Sequence, residues 1–139
     1  TMITPNLAEA ALLSGQALPS SLIEMIHLAK ELTASGAKKI VIKGGTRMAG
    51  EQAVDLLYSV DHHEVFSQKK VDTPTVNGAG CAFSSAITAN LVLGSDVSKA
   101  VAESKQFVAH CISNGVLMND HTGSVWSGGI QKGGTINEN

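Results

Sequence analysis

The feature that most constrains this chain is the run Asn77-Gly78-Ala79-Gly80-Cys81, which leads directly into a segment with helical periodicity. Apolar residues recur every four positions after it, at Phe83, Ile87 and Leu91, and this spacing predicts a helix with one apolar face. The first amides of a helix lack intrahelical partners and carry partial positive charge. A glycine-rich turn at that end can therefore bind an anion closely.

Cys81 lies at this positive end, where the thiolate form of a cysteine is favoured. The pattern predicts an anion site beside a reactive thiol. The alternative is that Gly78 and Gly80 only form a tight turn and that Cys81 is a small buried residue. Spacing alone does not separate the two interpretations, because short glycine-rich turns are common.

Composition narrows the class of protein. The 139 residues suit one domain, and 43% hydrophobic with 16% charged residues is typical of a globular chain. The net charge of −2 lacks the basic surplus of nucleic-acid binders, and no apolar run reaches the roughly 18 residues of a membrane span. We recognise no signal peptide, and two cysteines do not form a disulfide framework. We expect a cytoplasmic protein that binds neither nucleic acid nor membrane.

Helix and strand signals alternate along the chain, which predicts an α/β fold. We expect a strand end at residues 1–4, helices at residues 7–14 and from residue 21 to about 34, a buried parallel strand at residues 39–43, an edge hairpin of residues 55–60 and 63–67, a helix after Cys81 and another from residue 97 to about 114. Ser21 and Glu24 fit a capping box. Residues after 119 are polar and glycine-rich, and residues 128–139 are predicted to be a disordered tail.

Two further groups are candidate ligand residues. Asn6 and Glu9 share one face of a first helical turn, and the Glu9 carboxylate could hold Mg²⁺ directly or through water. The alternative is that Asn6 is an N-cap and Glu9 complements the helix dipole. Lys43, with Gly44 and Gly45, ends a predicted parallel strand, where ligands bind in open α/β sheets. Lys43 could neutralise phosphate charge or be a solvated lysine.

Histidines and the second cysteine carry weaker signals. The adjacent His62 and His63 are expected in an exposed turn, and no Cys/His spacing matches a zinc site. Cys111 is expected in the core. A cysteine-nucleophile hydrolase would need a histidine within reach of Cys81, and none of the five histidines is placed for it by the predicted strands and helices.

Four segments in register connect the chain to a known family: residues 4–10 (Thr-Pro-Asn-Leu-Ala-Glu-Ala), residues 36–45, residues 55–58 (Asp-Leu-Leu-Tyr) and residues 78–83 (Gly-Ala-Gly-Cys-Ala-Phe). In order and spacing they resemble the ribokinase-like vitamin kinases, in the branch of bacterial pyridoxal kinase and hydroxymethylpyrimidine kinase. The likeness extends from residue 2 to about residue 125. Residues 105–109 and 114–120 are more similar to the pyridoxal kinases of low-GC Gram-positive bacteria.

The resemblance implies a three-layer α/β/α sandwich of which only the C-terminal part is present, with residues 1–127 as its nucleotide-binding and catalytic half. It implies ATP- and Mg²⁺-dependent phosphorylation of a hydroxymethyl group on pyridoxal, pyridoxine or pyridoxamine, in vitamin B6 salvage. One alternative is the hydroxymethylpyrimidine (phosphate) kinase of thiamine biosynthesis, by one or two phosphorylation steps. Another is a nucleotide-binding fragment without catalytic activity.

The resemblance also assigns roles to residues. It makes Cys81 the general base on the substrate hydroxyl, Glu9 the residue that organises magnesium, and the turn of Gly78, Ala79, Gly80 and Cys81 the anion hole. The positions that match the nucleotide lining are Asn6, Lys43, Gly44, Gly45, Thr46, Arg47, Asp55, Gly80 and Ala109.

The chain departs from the family pattern in three ways. The N-terminal half, which carries most of the substrate pocket, is missing. Asn77 replaces the histidine before the anion hole, and residues 123–127 lack the histidine of the terminal Gly-Pro-x-x-His pattern. The expected partners are a heterocyclic alcohol, the missing half and, in the complete enzyme, a second copy in a homodimer. Without that half, the sheet would expose an unpaired edge at residues 1–4.

Overall fold

The computed structural model describes residues 2–128. Contacts divide the chain into two compact units, Thr1–Lys70 and Val71–Asn139. Each unit has its own helices and its own β-sheet. None of the helices in the described residues combines the length and the apolar character needed to span a membrane. The predicted tail, apart from residue 128, lies outside the described residues.

The first unit is a four-stranded mixed sheet with two helices. Its elements are β1 (Met2–Ile3), α1 (Leu7–Ser14), α2 (Leu22–Ala34), β2 (Lys39–Lys43), β3 (Gln52–Ser59) and β4 (His62–Lys69). The strand order is β1-β2-β3-β4, with β1 parallel to β2 and the other pairs antiparallel. The predicted strand at the start, the buried strand β2 and the edge hairpin are confirmed.

The hairpin is longer than predicted, because β3 begins at Gln52 and β4 ends at Lys69 where residues 55 and 67 are expected. Its turn is at residues 60–61, one residue earlier than predicted, because His62 already pairs with Ser59 across the hairpin. His62 and His63 are exposed as expected, although they lie in β4 and not in the turn. The His63 ring stacks on Tyr58 at a centroid distance of 6.3 Å.

Caps define both helices of the first unit. Asn6 caps α1, and Gly15 ends it in the left-handed conformation at φ 66°. Ser21 caps α2 by accepting the Glu24 N–H. The capping box predicted for Ser21 and Glu24 is only half formed, because the Glu24 carboxylate accepts from the Ser20 N–H and hydroxyl instead.

The core of the first unit forms where the helices cover alternate residues of the sheet. Ile40 and Ile42 of β2 and Leu56 of β3 contribute the sheet side of this core. The helices contribute Leu7, Ala10, Met25, Leu28, Ala29 and Leu32. Each large aliphatic side chain buried in this way stabilises the fold by about 1.5–3 kcal/mol.

The second unit is a helix pair with a small two-stranded sheet. Its elements are α3 (Ala79–Val92), α4 (Val97–Ser113), β5 (Val116–Leu117) and β6 (Gly123–Ser124), and β5 and β6 are antiparallel. Phe83 and Ile87 of α3 are buried, as is the Cys111 face of α4. Both predicted helices and the core position of Cys111 are confirmed. Burial raises the pKa of the Cys111 thiol.

The strands β5 and β6 are not predicted from the sequence, since β5 is only two residues long and β6 lies in the polar, glycine-rich segment after residue 119. The glycines have a packing role, because a side chain at Gly115 or Gly123 would overlap Thr75. The Thr75 hydroxyl donates to the Ile112 carbonyl at 2.6 Å. The glycines therefore let the hairpin pack closely on the segment that precedes α3.

Candidate functional site

The N-terminus of α1 holds Glu9 in a fixed position. The Asn6 Oδ1 accepts the Glu9 N–H at 2.9 Å, and the Glu9 Oε2 accepts the Asn6 N–H at 2.8 Å. This is a complete capping box, so the structural interpretation of the pair is correct. It does not exclude the magnesium role, because Glu9 is exposed and its Oε1 makes no hydrogen bond within residues 2–128.

The donor set around Glu9 fits Mg²⁺ but not a metal held by protein ligands alone. Within residues 2–128 there is no group of three or more histidine, cysteine, aspartate or glutamate side chains that could hold a metal ion. Mg²⁺ commonly uses one or two carboxylates and completes its shell with water and substrate phosphates. A single orientated carboxylate is therefore sufficient for a magnesium ion that arrives with a nucleotide.

The end of β2 lies next to this capping box. The Lys43 N–H donates to the Pro5 carbonyl at 2.8 Å, and Asn6 and Lys43 form an isolated parallel bridge. Asp55 is the antiparallel partner of Lys43 and is 5% exposed. Backbone pairing thus brings together two predicted nucleotide residues from β2 and β3 and the capping residue of α1.

Gly44 and Gly45 begin the loop of residues 44–51, here called the β2–β3 loop, and each glycine is required for a different structural reason. Gly44 is buried, and a side chain there would overlap the Val54 carbonyl. Gly45 is left-handed at φ 54°, and its N–H donates to the Asp55 Oδ1 at 3.3 Å. Thr46 and Arg47 follow in an exposed turn, closed by the Arg47 N–H on the Gly44 carbonyl at 3.2 Å. The loop thus holds one backbone amide on a buried carboxylate and presents the next two residues to solvent.

In the second unit, the glycine-rich run begins α3 earlier than predicted. Gly78 alone forms the turn, at φ 86°, and the helix starts at Ala79. Gly80 and Cys81 therefore belong to the first helical turn and do not precede it. No side chain caps this end. Cys81 is exposed, so the alternative of a small buried cysteine is wrong.

A network that the sequence did not reveal supports this turn. The Asn77 side-chain amide donates to the Gly123 carbonyl at 2.8 Å, and the Asn77 carbonyl accepts the Val125 N–H at 3.0 Å and the Ser124 hydroxyl at 3.2 Å. Asn77 and Ser124 also form a parallel bridge. Asn77 thus connects the start of α3 to β6. The signal in the sequence that bears on this network is the pair of glycines before β5 and at the start of β6, Gly115 and Gly123.

The remaining predicted residues are accounted for as follows. Ala109 is half buried on α4, and its place in a nucleotide site stays a prediction. The first unit holds Asn6, Glu9, Lys43, Gly44, Gly45, Thr46, Arg47 and Asp55, and the second holds Gly78, Ala79, Gly80, Cys81 and Ala109. In the part of the chain that the structure describes, no histidine forms a hydrogen bond to Cys81, so nothing supports a cysteine hydrolase.

Comparison of the sequence with known proteins finds similarity to one family of small-molecule kinases. Residues 1–126 match the family described as phosphomethylpyrimidine kinase. The pyridoxine kinase of Bacillus subtilis is 42% identical over 123 residues, which cover 88% of this chain and 45% of that protein. A hydroxymethylpyrimidine/phosphomethylpyrimidine kinase of Aquifex aeolicus is 37% identical over 113 residues, or 81% of this chain and 44% of that protein.

Solved structures agree with the sequence comparison. Pyridoxal kinase from Staphylococcus aureus, in complex with AMP-PCP and pyridoxal, matches with a TM-score of 0.90 at 36% identity, over 95% of this chain and 49% of that one. The ADP complex of Bacillus subtilis pyridoxal kinase matches with a TM-score of 0.88 at 39% identity, over 94% of this chain and 49% of that one. The chain spans about half the length of these relatives, which confirms the expected partial ribokinase-like fold.

Proposed function

Because the chain belongs to the phosphomethylpyrimidine kinase family, we propose that it supplies the ATP-binding and catalytic half of a kinase that phosphorylates the hydroxymethyl group of pyridoxal, pyridoxine or pyridoxamine. The pyridoxine kinase relative and the pyridoxal kinase structures support this substrate class. The observation that carries the proposal is the capping box of Asn6 and Glu9, which the backbone pairs with Lys43 at the start of the β2–β3 loop.

Phosphoryl transfer requires mainly positioning of the reactants and stabilisation of negative charge. Each of the predicted site residues can contribute to one of these two requirements. Glu9 would hold Mg²⁺ through its exposed carboxylate oxygen. Mg²⁺, when bound, supplies positive charge that offsets the negative charge of the phosphates. Lys43 and the β2–β3 loop would bind the nucleotide. The amides at the start of α3 would stabilise anionic charge, since the helix dipole is positive there.

Cys81 is the proposed general base. It lies exposed in the first turn of α3, where a cysteine can take a proton from a substrate hydroxyl. Loss of a positioned base typically costs about 10²- to 10⁴-fold in rate. The proposal requires that the substrate hydroxyl reaches the Cys81 sulfur in the complete enzyme.

The proposal includes the other half of the family fold as a partner. A groove of about 330 Å³ beside α1 is lined by Ile3, Thr4, Pro5, Glu9, Leu12 and Leu13. Leu12 is 83% exposed, and β1 is an edge strand of the sheet in the described residues. An exposed apolar surface next to a sheet edge suits association with further polypeptide. We also propose a cytoplasmic location, which two free cysteines support, and a homodimer for the complete enzyme.

A second substrate is supported by specific observations. The family description names phosphomethylpyrimidine, and the Aquifex aeolicus relative acts on hydroxymethylpyrimidine and its phosphate. The thiamine-pathway heterocycle is therefore the alternative acceptor. A third possibility is a fragment that binds nucleotide and does not turn over.

The first test is calorimetric titration of the chain with ATP, with and without Mg²⁺. We expect magnesium-dependent binding that Gly80→Asp abolishes, since a carboxylate in the first turn of α3 repels phosphate. Ser85→Asp is the matched control, because it adds the same charge to an exposed position of α3 beyond the first turn. Failure of the folded wild-type chain to bind ATP would contradict the proposal.

The second test distinguishes the two proposed substrates from each other and an active kinase half from an inactive fragment. The chain is coexpressed with the half of the Bacillus subtilis pyridoxine kinase that it does not match, and turnover is measured with pyridoxal and with hydroxymethylpyrimidine. Preference for pyridoxal supports the proposed function, and preference for hydroxymethylpyrimidine supports the alternative. ATP binding in a stable complex that turns over neither substrate supports the inactive fragment.

A further inference from the structure

The β2–β3 loop presents the proposed nucleotide residues on a segment that has few internal restraints. Thr46, Arg47 and three of the four residues that follow are exposed. Gly45 and Gly50 both have positive φ, at 54° and 94°. Glycines in such a segment allow many backbone conformations, so a single conformation must be stabilised from outside the loop.

Two contacts stabilise the loop near its middle. The Met48 side chain is 8% exposed and belongs to the core of the first unit. The Met48 carbonyl accepts the Lys70 Nζ at 2.6 Å. A short hydrogen bond from an ammonium group is stronger than one between neutral groups.

Lys70 also contacts the end of the same loop through its backbone. Its N–H donates to the Glu51 carbonyl at 2.8 Å. Lys70 directly follows β4, so it is attached to the antiparallel β3–β4 pair, and its side chain is half buried. One residue of the sheet therefore holds two carbonyls of the loop, one with its main chain and one with its charge.

We propose that Lys70 is a positioning residue for the nucleotide: its ammonium group fixes the β2–β3 loop through the Met48 carbonyl. The inference rests on the proposed function, which assigns that loop to ATP. Lys70 does not need to contact the nucleotide. Its effect is to keep the loop in the conformation in which the Gly45 amide is held by Asp55 and the Arg47 amide by Gly44.

The test compares Lys70→Met with Lys69→Met and Lys70→Arg. Methionine keeps an unbranched stem and the backbone hydrogen bond but removes the ammonium group. Lys69→Met removes the same charge one residue away, from an exposed side chain whose backbone pairs with Gln52. Lys70→Arg keeps a charged donor. The measurements are hydrogen exchange of the Gly45 and Arg47 amides in the nucleotide-free chain, and ATP affinity by calorimetry.

We expect Lys70→Met to speed exchange of these two amides by about 10-fold or more, since a hydrogen bond to a charged group is lost. ATP affinity should fall by about 3- to 10-fold, because a smaller fraction of the chain has the binding conformation. Lys69→Met should match the wild-type chain in both measurements. Lys70→Arg should restore most of the protection and the affinity.

Other outcomes overturn the inference in distinguishable ways. Weaker ATP binding with unchanged loop exchange would mean that Lys70 acts on the nucleotide directly. Unchanged affinity with faster loop exchange would mean that the loop conformation does not govern binding. Equal acceleration of exchange at a core amide such as that of Leu56 would mean that Lys70→Met destabilises the whole unit. Lys70→Gln, which keeps a neutral donor, then serves as the second variant. It should speed exchange of the Gly45 and Arg47 amides by an intermediate factor without affecting the core, and failure to do so would overturn the inference. A wild-type chain that binds no ATP would refute the proposed function and the inference with it.

Discussion

Replacing Glu9 by glutamine separates its structural role from its proposed magnesium role. Glutamine at this position of a capping box can still accept the Asn6 N–H, which the Glu9 Oε2 accepts at 2.8 Å. Only the charge at the helix N-terminus is lost, which costs about 0.3–1 kcal/mol. Alanine removes the hydrogen bond as well, so the free energy of unfolding should fall by about 1–2 kcal/mol. Urea unfolding measures both values.

ATP affinity should respond differently from stability. Both Glu9→Gln and Glu9→Ala remove the carboxylate that would hold Mg²⁺, so we expect magnesium-dependent ATP affinity to fall by about 10-fold or more in each. Binding measured without Mg²⁺ should change little. Calorimetric titration in the presence and absence of Mg²⁺ gives the comparison.

The control for this experiment lies in the next helix. Glu24 occupies the same position in the first turn of α2 that Glu9 occupies in α1, and it also accepts hydrogen bonds at the helix start. Glu24→Gln should therefore reproduce any general charge effect and leave ATP binding unchanged. If Glu9→Gln binds Mg²⁺-ATP as tightly as the wild-type chain, Glu9 is a capping residue only and the magnesium assignment is refuted.

Three other predictions concern separate parts of the chain. In the complete enzyme, Cys81→Ala should lower kcat by about 10²- to 10⁴-fold, and an unchanged rate would exclude a base role. Gly44→Ala should destabilise the first unit by about 1–3 kcal/mol in urea unfolding, since the new methyl group meets the Val54 carbonyl; equal stability would contradict the close approach. Hydrogen bonds from Ser20 hold the pKa of Glu24 below its ordinary value of 4.5. The carboxylate therefore stabilises the fold above pH 4.5, and this contribution is lost as pH falls through the lowered pKa. Ser20→Ala keeps the backbone N–H and removes only the hydroxyl bond, so an NMR titration should show a Glu24 pKa that rises part of the way toward its ordinary value; identical titrations of the two chains would contradict a contribution from the hydroxyl.

Most of the first unit could be predicted from sequence because its signals are local. Asn6 and Gly15 mark both ends of α1, and the structure places the helix between them at Leu7–Ser14. The run Lys39–Lys43 is a strand because it is short, β-branched and bounded by glycines. The family resemblance, which depended on four such segments in register, is confirmed by the match over residues 1–126.

The features that were missed depend on contacts between distant residues. β5 and β6 have only two residues each, too few for a periodic pattern, and β6 is held by the side chain of Asn77, which lies 46 residues before Gly123 in the chain. Ser21 caps α2 as predicted, but the bonds to the Glu24 carboxylate come from Ser20, since both serines precede the helix. The roles of the individual site residues stay predictions. The amides at the start of α3 and the Glu9 carboxylate have their positions without a ligand, so their geometry does not by itself identify what they bind.

The core of the first unit is built from residues in the first half of the chain, and this has a consequence for folding during synthesis on the ribosome. The buried cluster of the first unit, with the partly buried side chains packed on it, uses residues between Ile3 and Tyr58 only. The last strand that completes its sheet ends at Lys69. Translation at about 5–20 residues per second needs roughly 3–12 s more to produce the 58 residues from 71 to 128 that the structure describes in the second unit. The first unit can therefore fold while the second is still being made, and Glu9, Lys43 and the β2–β3 loop can be in place before Cys81 leaves the exit tunnel.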